Sequence, residues 1–167
     1  MATILSVIAP ENFQYQEYGD SKKVLEKAGH TVVTACSEPM ARSTSGHEEF
    51  ADVLLDEVNV DDYDAILFVG GGGCYDYFND STALELAREF YEAEKLTTAI
   101  CAAPSILANA GLLEGKKATC FSSQADNLKA HKAEYTGASV EVDGLLITAD
   151  GPASAKAFGE MIVKKMQ

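Results

Sequence analysis

Leu96-Thr97-Thr98-Ala99-Ile100-Cys101-Ala102-Ala103-Pro104-Ser105 reads as a buried strand that stops at a cysteine and turns at once into a helix. Thr97 to Ile100 are β-prone and mostly apolar, which suits a central strand. Pro104 fits the first position of a helix, where a missing N–H costs nothing. Ser105 to Ala110 continue the helix and Gly111 stops it. Cys101 is thereby held at a strand-to-helix turn. The small neighbours Ala99, Ala102 and Ala103 leave room for a sharp bend and for a ligand. Such a turn aims a side chain out of the sheet at a helix N-terminus, the logic of a nucleophile elbow. Partial positive charge at that terminus favours a thiolate, so the Cys101 thiol is expected to ionise easily.

The same alternation extends in both directions. Residues 3–9 and Thr31-Val32-Val33-Thr34-Ala35-Cys36 read as strands, as does Ala65-Ile66-Leu67-Phe68-Val69. Pro10-Glu11-Asn12 is read as a connection in which Asn12 caps a helix carrying Tyr15, Tyr18, Val24, Leu25 and Ala28 on one stripe and ending at Gly29. Ser37 to Gly46 is polar and rich in turn formers, and His47 to Leu55 suggests short strands or a hairpin. Asn79-Asp80-Ser81 can cap a helix with Ala83, Ala87, Phe90 and Tyr91 on one face and Lys95 at its end. Ala118 to Phe121 reads as a strand and Gln124 to His131 as a short helix. Asp143-Gly144 between two apolar runs signals a hairpin, and a last helix begins after Pro152, with Ala157, Phe158, Met161 and Ile162 inward. Strands alternating with helices over 167 residues predict one α/β domain with a mostly parallel sheet. Ligand sites in such sheets lie at the C-terminal ends of the strands. Three features land there: Glu11 to Glu17, the glycines after Val69, and Cys101.

Composition narrows the partners. Hydrophobic content of 47% and charged content of 23% suit a globular chain. A net charge of -13, from 26 acidic and 13 basic residues, repels phosphate backbones and anionic membranes, so neither nucleic acid nor membrane is an expected partner. The first apolar run is too short to span a bilayer, and a cytoplasmic location is expected. Cys36, Cys74, Cys101 and Cys120 form no C-x-x-C pair and no zinc-finger spacing, so they are read as free thiols, with no metal and no cofactor expected.

Around Cys101, the run Gly70-Gly71-Gly72-Gly73 lacks both phosphate-loop spacings, yet it can present bare N–H groups to a nucleophile. Glu17 lies near the same edge. By position alone it reads as an exposed helix-surface glutamate, with Glu11 a rival carboxylate; a carboxyl that reaches the thiol can move protons. Cys120 can approach Cys101 as a resolving thiol or can be a buried one. His30 falls at the opposite sheet edge, His131 ends a polar helix, and His47 sits in the ambiguous segment, so no histidine is assigned to Cys101.

Ala99-Ile100-Cys101-Ala102-Ala103-Pro104 is similar to the elbow of the DJ-1/PfpI superfamily. Ile66 to Gly71, Gly111-Leu112-Leu113-Glu114-Gly115-Lys116-Lys117-Ala118-Thr119, Asp143 to Thr148 and Gly151-Pro152-Ala153-Ser154 extend the likeness over nearly the full length. The resemblance implies a flavodoxin-like three-layer α/β sandwich, residues 1–167 as one domain, and a homodimer. It puts the reactive cysteine on Cys101, a partner glutamate held protonated against the thiolate on Glu17, and backbone donors on Gly71 and Ala102. Cys120 and Phe121 are expected to line the pocket. The likeness is closer to the DJ-1 branch than to the Cys–His protease branch, and two departures, both missing histidines, tell against a Cys–His protease mechanism. The residue after the cysteine is Ala102 rather than histidine, and a histidine often found nearby in the DJ-1 branch aligns with Phe121. Asp150 also stands where some relatives carry a basic or amide residue. The implied activity is that of a glyoxalase or deglycase acting on small α-dicarbonyl substrates or their adducts. The alternatives are a redox-sensing or chaperone-like stress protein and a peptidase or amidase.

Overall fold

The structure is a computed structural model describing residues 1–167. Twelve strands and five α-helices follow one another along the chain. They are β1 (Thr3–Val7), β2 (Glu11–Phe13), α1 (Tyr15–Lys27), β3 (Thr31–Cys36), β4 (Met40–Ser43), β5 (Glu48–Phe50), β6 (Val53–Leu54), β7 (Ala65–Phe68) and α2 (Ser81–Glu92). After these come β8 (Leu96–Ile100), α3 (Pro104–Asn109), β9 (Lys117–Ala118), α4 (Ala125–Ala130), β10 (Glu134–Tyr135), β11 (Val140–Asp143), β12 (Leu146–Ala149) and α5 (Ala155–Lys165).

Seven strands form one sheet in the order β11-β12-β8-β7-β1-β3-β6. All neighbours are parallel except β11 and β12, the hairpin signalled by Asp143-Gly144. The five inner strands have the flavodoxin-like order, which reverses direction of growth between β1 and β7. Crossover helices must then fall on both faces. α1 packs along α5 on one side, while α2 packs on α3 and on β7 and β8 on the other. Burial on both faces explains why β7 (AILF) and β8 (LTTAI) are buried at every position, with no alternation. Thr98 is accommodated there because its Oγ1 donates to Ile66 O at 2.9 Å.

Several expectations are corrected. Asn12 caps nothing. It sits at φ 58 inside the short β2, and Gln14 caps α1 by accepting the Gln16 N–H. The polar connection from Ser37 to Gly46 contains β4, which pairs with β2 and β5 in a separate small sheet. β6 joins the main sheet beside β3. Ala118 to Phe121 is not a strand throughout: only Lys117–Ala118 pairs, with β10, and Cys120 and Phe121 leave the ribbon. In α5 the inward positions are Ala155, Phe158, Gly159 and Ile162, and Ala157 faces out. α2 ends at Glu92, so Lys95 lies beyond it and donates instead to Val60 O at 2.7 Å.

Candidate active site

β1, β7 and β8 end side by side, and the turns beyond them converge. Cys101 immediately follows β8 and has φ 66, a left-handed conformation that a non-glycine residue adopts only when its surroundings impose it. Its N–H donates to Ala149 O at 2.9 Å and its carbonyl accepts the Phe121 N–H at 2.7 Å, so the strained turn is clamped on both sides. Pro104 opens α3 as the sequence predicts. Cys101 is 9% exposed, whereas Cys36, Cys74 and Cys120 are at most 1% exposed.

Glu17 is fully buried. The buried face of α1 comprises Glu17, Tyr18, Ser21 and Leu25, so a carboxyl occupies a position that helical spacing reserves for the core. Its Oε1 accepts the Gly70 N–H at 2.9 Å, while Oε2 has no nitrogen or oxygen partner. The carboxyl faces Cys101 across Gly70: Cys101 Cβ and Glu17 Oε1 each lie 2.7 Å from the place a Cβ on Gly70 would take. The exposed-surface reading of Glu17 is overturned, because α1 begins at the switch point and aims its first turn across the ends of β7 and β8. Glu11 lies in β2 and is exposed.

Gly70 is what lets the pair meet. A Cβ there would stand 2.7 Å from Cys101 Cβ, Glu17 Oε1 and Ile100 O alike. Gly70 O also accepts the Gln14 N–H at 2.9 Å, which ties the start of α1 to the glycine turn. Gly71 has φ 107, and a Cβ on it would meet Asn12 O at 2.5 Å and Gln14 N at 2.6 Å. Only glycine fits, and its N–H, with that of Ala102, pulls the Cys101 thiol down.

Burial pushes the Glu17 carboxyl up from 4.5 to about 7. Burial, then the Glu17 charge, push the Cys101 thiol up to about 12, against the downward pull of the Ala102 and Gly71 N–H groups. The expectation of an easily ionised thiol is therefore corrected: the short α3 is outweighed by desolvation and a facing carboxylate. The two groups act as a pair. Burial holds the carboxyl up, and the facing carboxylate holds the thiol up, so a charge on one group disfavours a charge on the other.

The remaining candidates fall as follows. Cys120 is buried and pushed up to about 12 by burial alone, without a contribution from Cys101. The thiol that does feel the charges of Cys101 and Glu17 is Cys74, read from sequence as a packing or loop residue. Its only signal is a place four residues after Gly70, on the same donor loop. Phe121 is 46% exposed beside the elbow. His30 Nδ1 accepts the Ala2 N–H at 3.0 Å at the far edge of the sheet, and His131 Nδ1 lies 2.9 Å from Asn127 O. His47 stacks on Tyr15 with ring centroids 3.9 Å apart. Asp150 accepts the Ser154 hydroxyl at 2.6 Å. No group of three His, Cys, Asp or Glu side chains is arranged to hold a metal ion, and no helix is long and apolar enough to cross a membrane.

A doubly wound sheet with a strained cysteine beyond an inner strand and a buried glutamate facing it defines a flavodoxin-like α/β protein with a Cys–Glu elbow. The chain belongs to the DJ-1/PfpI family, whose model matches residues 2–165. It is 37% identical to an uncharacterised protein of Methanocaldococcus jannaschii, over 99% of this chain and 83% of the relative. It is 30% identical to a protein of Pyrococcus furiosus named deglycase PfpI, over 86% of this chain and 87% of that one. The crystal structure of a ThiJ/PfpI domain protein from Brachyspira murdochii superposes with a TM-score of 0.96 at 33% identity, covering 98% of this chain and 95% of the other.

Proposed function

We propose that this chain is a cysteine-dependent enzyme of the glyoxalase or deglycase type, acting on small α-dicarbonyls such as methylglyoxal or on their adducts. The observation that carries the reading is the buried Glu17 carboxyl facing Cys101 across Gly70, with the Gly71 and Ala102 N–H groups favouring a charged sulfur. The relative named a deglycase adds support. With its proton on Glu17, the Cys101 sulfur adds to the aldehyde carbon. A C–S bond forms, the carbonyl π pair moves onto oxygen, and Glu17 supplies the proton, giving a hemithioacetal. Backbone donors beside the sulfur steady the developing oxyanion. The Glu17 carboxylate then takes the proton from the hemithioacetal carbon to give an enediolate and returns it to the neighbouring carbon, while the hydroxyl proton passes to that carbon's oxygen, which yields the thioester of a hydroxyacid. Water hydrolyses the thioester and frees Cys101. The sum is dicarbonyl plus water giving hydroxyacid, lactate from methylglyoxal. The same reading takes the chain as a cytoplasmic homodimer, a stoichiometry that light scattering measures.

Purified protein is expected to convert methylglyoxal to lactate, and Cys101→Ser to lower the rate by at least about 10³-fold. Absence of lactate with the wild-type protein overturns the reading. The site does not favour a peptidase, since no histidine is among the groups that act on Cys101.

One observation favours a second reading, a redox-sensing or chaperone-like stress protein. Cys101 is the most exposed of the four thiols, and a sulfinate there would meet the Glu17 carboxyl, whose Oε2 has no nitrogen or oxygen partner. Mild peroxide followed by peptide mass spectrometry is expected to oxidise Cys101 first. Earlier oxidation of Cys36, Cys74 or Cys120 rules this reading out.

A further inference from the structure

A groove of about 500 Å³ is walled by residues of the 3₁₀ turn Gly72–Tyr77 and its exit, of α3 and of α4. Tyr75, Phe78, Asn79, Asn109, Gln124 and Asn127 line it. None of its eight lining residues is Asp, Glu, Lys or Arg, in a chain with 26 acidic and 13 basic residues. Neither Cys101 nor Glu17 lines it. A ring of bonds and contacts fixes these side chains. Gln124 Nε2 donates to the Tyr75 hydroxyl at 3.0 Å, and Gln124 Oε1 accepts from Ser105 Oγ at 2.7 Å. Asn127 Nδ2 donates to Ser105 Oγ at 3.0 Å and to Asn109 Oδ1 at 3.1 Å. Asn109 Nδ2 donates to Phe78 O at 2.8 Å, and the Phe78 ring closes the circuit by stacking on Tyr75 with centroids 4.7 Å apart.

Fixing rotamer-rich side chains at a surface costs entropy, and a neutral hydrogen bond returns only about 1 kcal/mol. A ligand that finds the side chains already fixed does not meet that cost. What the bonds leave free describes the ligand. Tyr75 keeps its O–H, Gln124 and Asn109 keep one N–H each, and Asn127 keeps its carbonyl oxygen. The groove therefore offers single donors and acceptors in mixture and no fixed charge. Hydroxyl groups, each both donor and acceptor, match such a mixture, whereas a carboxylate or phosphate finds no cation. Tyr75 remains 46% exposed although it stacks on Phe78, which leaves aromatic surface for the C–H side of a sugar ring.

We infer that this groove is a second binding site, separate from Cys101, for a neutral hydroxyl-rich ligand of the sugar class, and that it disfavours sugars bearing a carboxylate or phosphate. The inference goes beyond the proposed enzyme and does not depend on turnover at Cys101.

Methyl β-glucoside, trehalose and methyl β-glucuronide test the site, because none has a free aldehyde or ketone for a thiol to attack. The side-chain amide signals of nitrogen-15-labelled protein report where each binds. Saturable shifts are expected at Asn79, Asn109, Gln124 and Asn127 with the glucoside and with trehalose, at a Kd of about 1–10 mM. The glucuronide is expected to bind at least about tenfold more weakly. Asn12 and Gln14, beside the Gly71 turn, are expected not to move. Tyr75→Phe keeps the ring and loses the hydroxyl, and is expected to weaken trehalose binding about fivefold. Tyr75→Ala is expected to weaken it about tenfold. Tyr75 is an exposed residue, and an unchanged backbone amide spectrum of Tyr75→Phe separates lost recognition from misfolding. Four results overturn the site: no saturable shift with either neutral sugar, shifts at Asn12 and Gln14 in place of the groove amides, equal affinity for the glucuronide, or unchanged affinity in both Tyr75 variants. Groove signals that move with protein concentration and not with sugar assign the groove to a second copy of the chain, and they overturn it too. Sugar binding without methylglyoxal turnover removes the proposed reaction and leaves the groove site. Turnover without sugar binding does the reverse.

Discussion

Gly70→Ala is expected to damage stability and activity together. The added methyl would lie 2.7 Å from two side-chain atoms, Cys101 Cβ and Glu17 Oε1, and from one backbone atom, Ile100 O. The side chains can swing away, but Ile100 ends β8, which pairs with β7 along Ala65–Phe68, so its carbonyl cannot retreat without parting two central strands. Overpacking of this kind costs about 1–3 kcal/mol. Relief by outward movement of Glu17 separates the carboxyl from the sulfur, and a displacement of about 1 Å at a reacting group lowers turnover by about 10²-fold. Gly72→Ala is the control, because nothing lies within 4 Å of its Cβ. It is expected to change stability by no more than about 0.5 kcal/mol. Thermal melts and methylglyoxal assays on both variants check the comparison. A Gly70→Ala protein with an unshifted melt shows that the turn has slack that its contacts deny.

Glu17→Gln is expected to stabilise the protein at pH 8 while removing most of its activity. Burial raises the carboxyl from 4.5 to about 7, so the folded state binds this proton more tightly than the unfolded chain. Above about pH 7 the folded protein holds a buried charge that the unfolded chain holds in water, and folding carries the full penalty. As pH falls from about 7 to 4.5 the penalty fades, and below 4.5 both states are protonated and it is gone. A shift of that size corresponds to about 3 kcal/mol. Glutamine keeps an oxygen for the Gly70 N–H and never ionises. Its melting temperature is therefore expected to exceed that of the wild type most at pH 8 and to match it below pH 4.5. Cys101 does not disturb this window, since its thiol is pushed up and stays protonated across it when Glu17 is charged. Under the proposed mechanism the same variant loses proton transfer, worth about 10²–10⁴-fold in rate. The wild-type rate is expected to rise with pH through about 7, as the pair loses its first proton, and the variant to lack that limb. Equal melting temperatures at pH 8 contradict the buried-charge account. A retained limb contradicts the role of Glu17.

The strands were legible because burial on both faces writes itself into composition. Ala65 to Phe68, Leu96 to Ile100 and Leu146 to Ala149 are continuous apolar or threonine runs buried at every position. Helix ends were legible where a residue has a local reason, as with Asp80 capping α2 and Pro104 opening α3. β4 and β9 were misread because each is too short for its own pattern to outweigh polar neighbours. Their pairing is set by partners distant in sequence, Phe50 opposite Met40 and Glu134 opposite Lys117.

The sequence by itself determined the α/β class, the parallel sheet and the cysteine at a strand-to-helix turn, because backbone propensity and hydrophobic period are local properties. Resemblance to the family directed attention to Glu17, but nothing within α1 distinguishes it from a surface glutamate. Only the tertiary structure decided that Glu17 is buried, that Gly70 separates it from Cys101 by the width of a missing methyl, and that Cys74 rather than Cys120 feels the Cys101 charge. The physical reason is the switch point between β1 and β7. It brings the first turn of α1, the glycine turn and the elbow to one edge from positions up to 84 residues apart (Glu17 to Cys101). Burial of the Glu17 carboxyl against the elbow follows from that convergence, and it raises both the carboxyl and the Cys101 thiol.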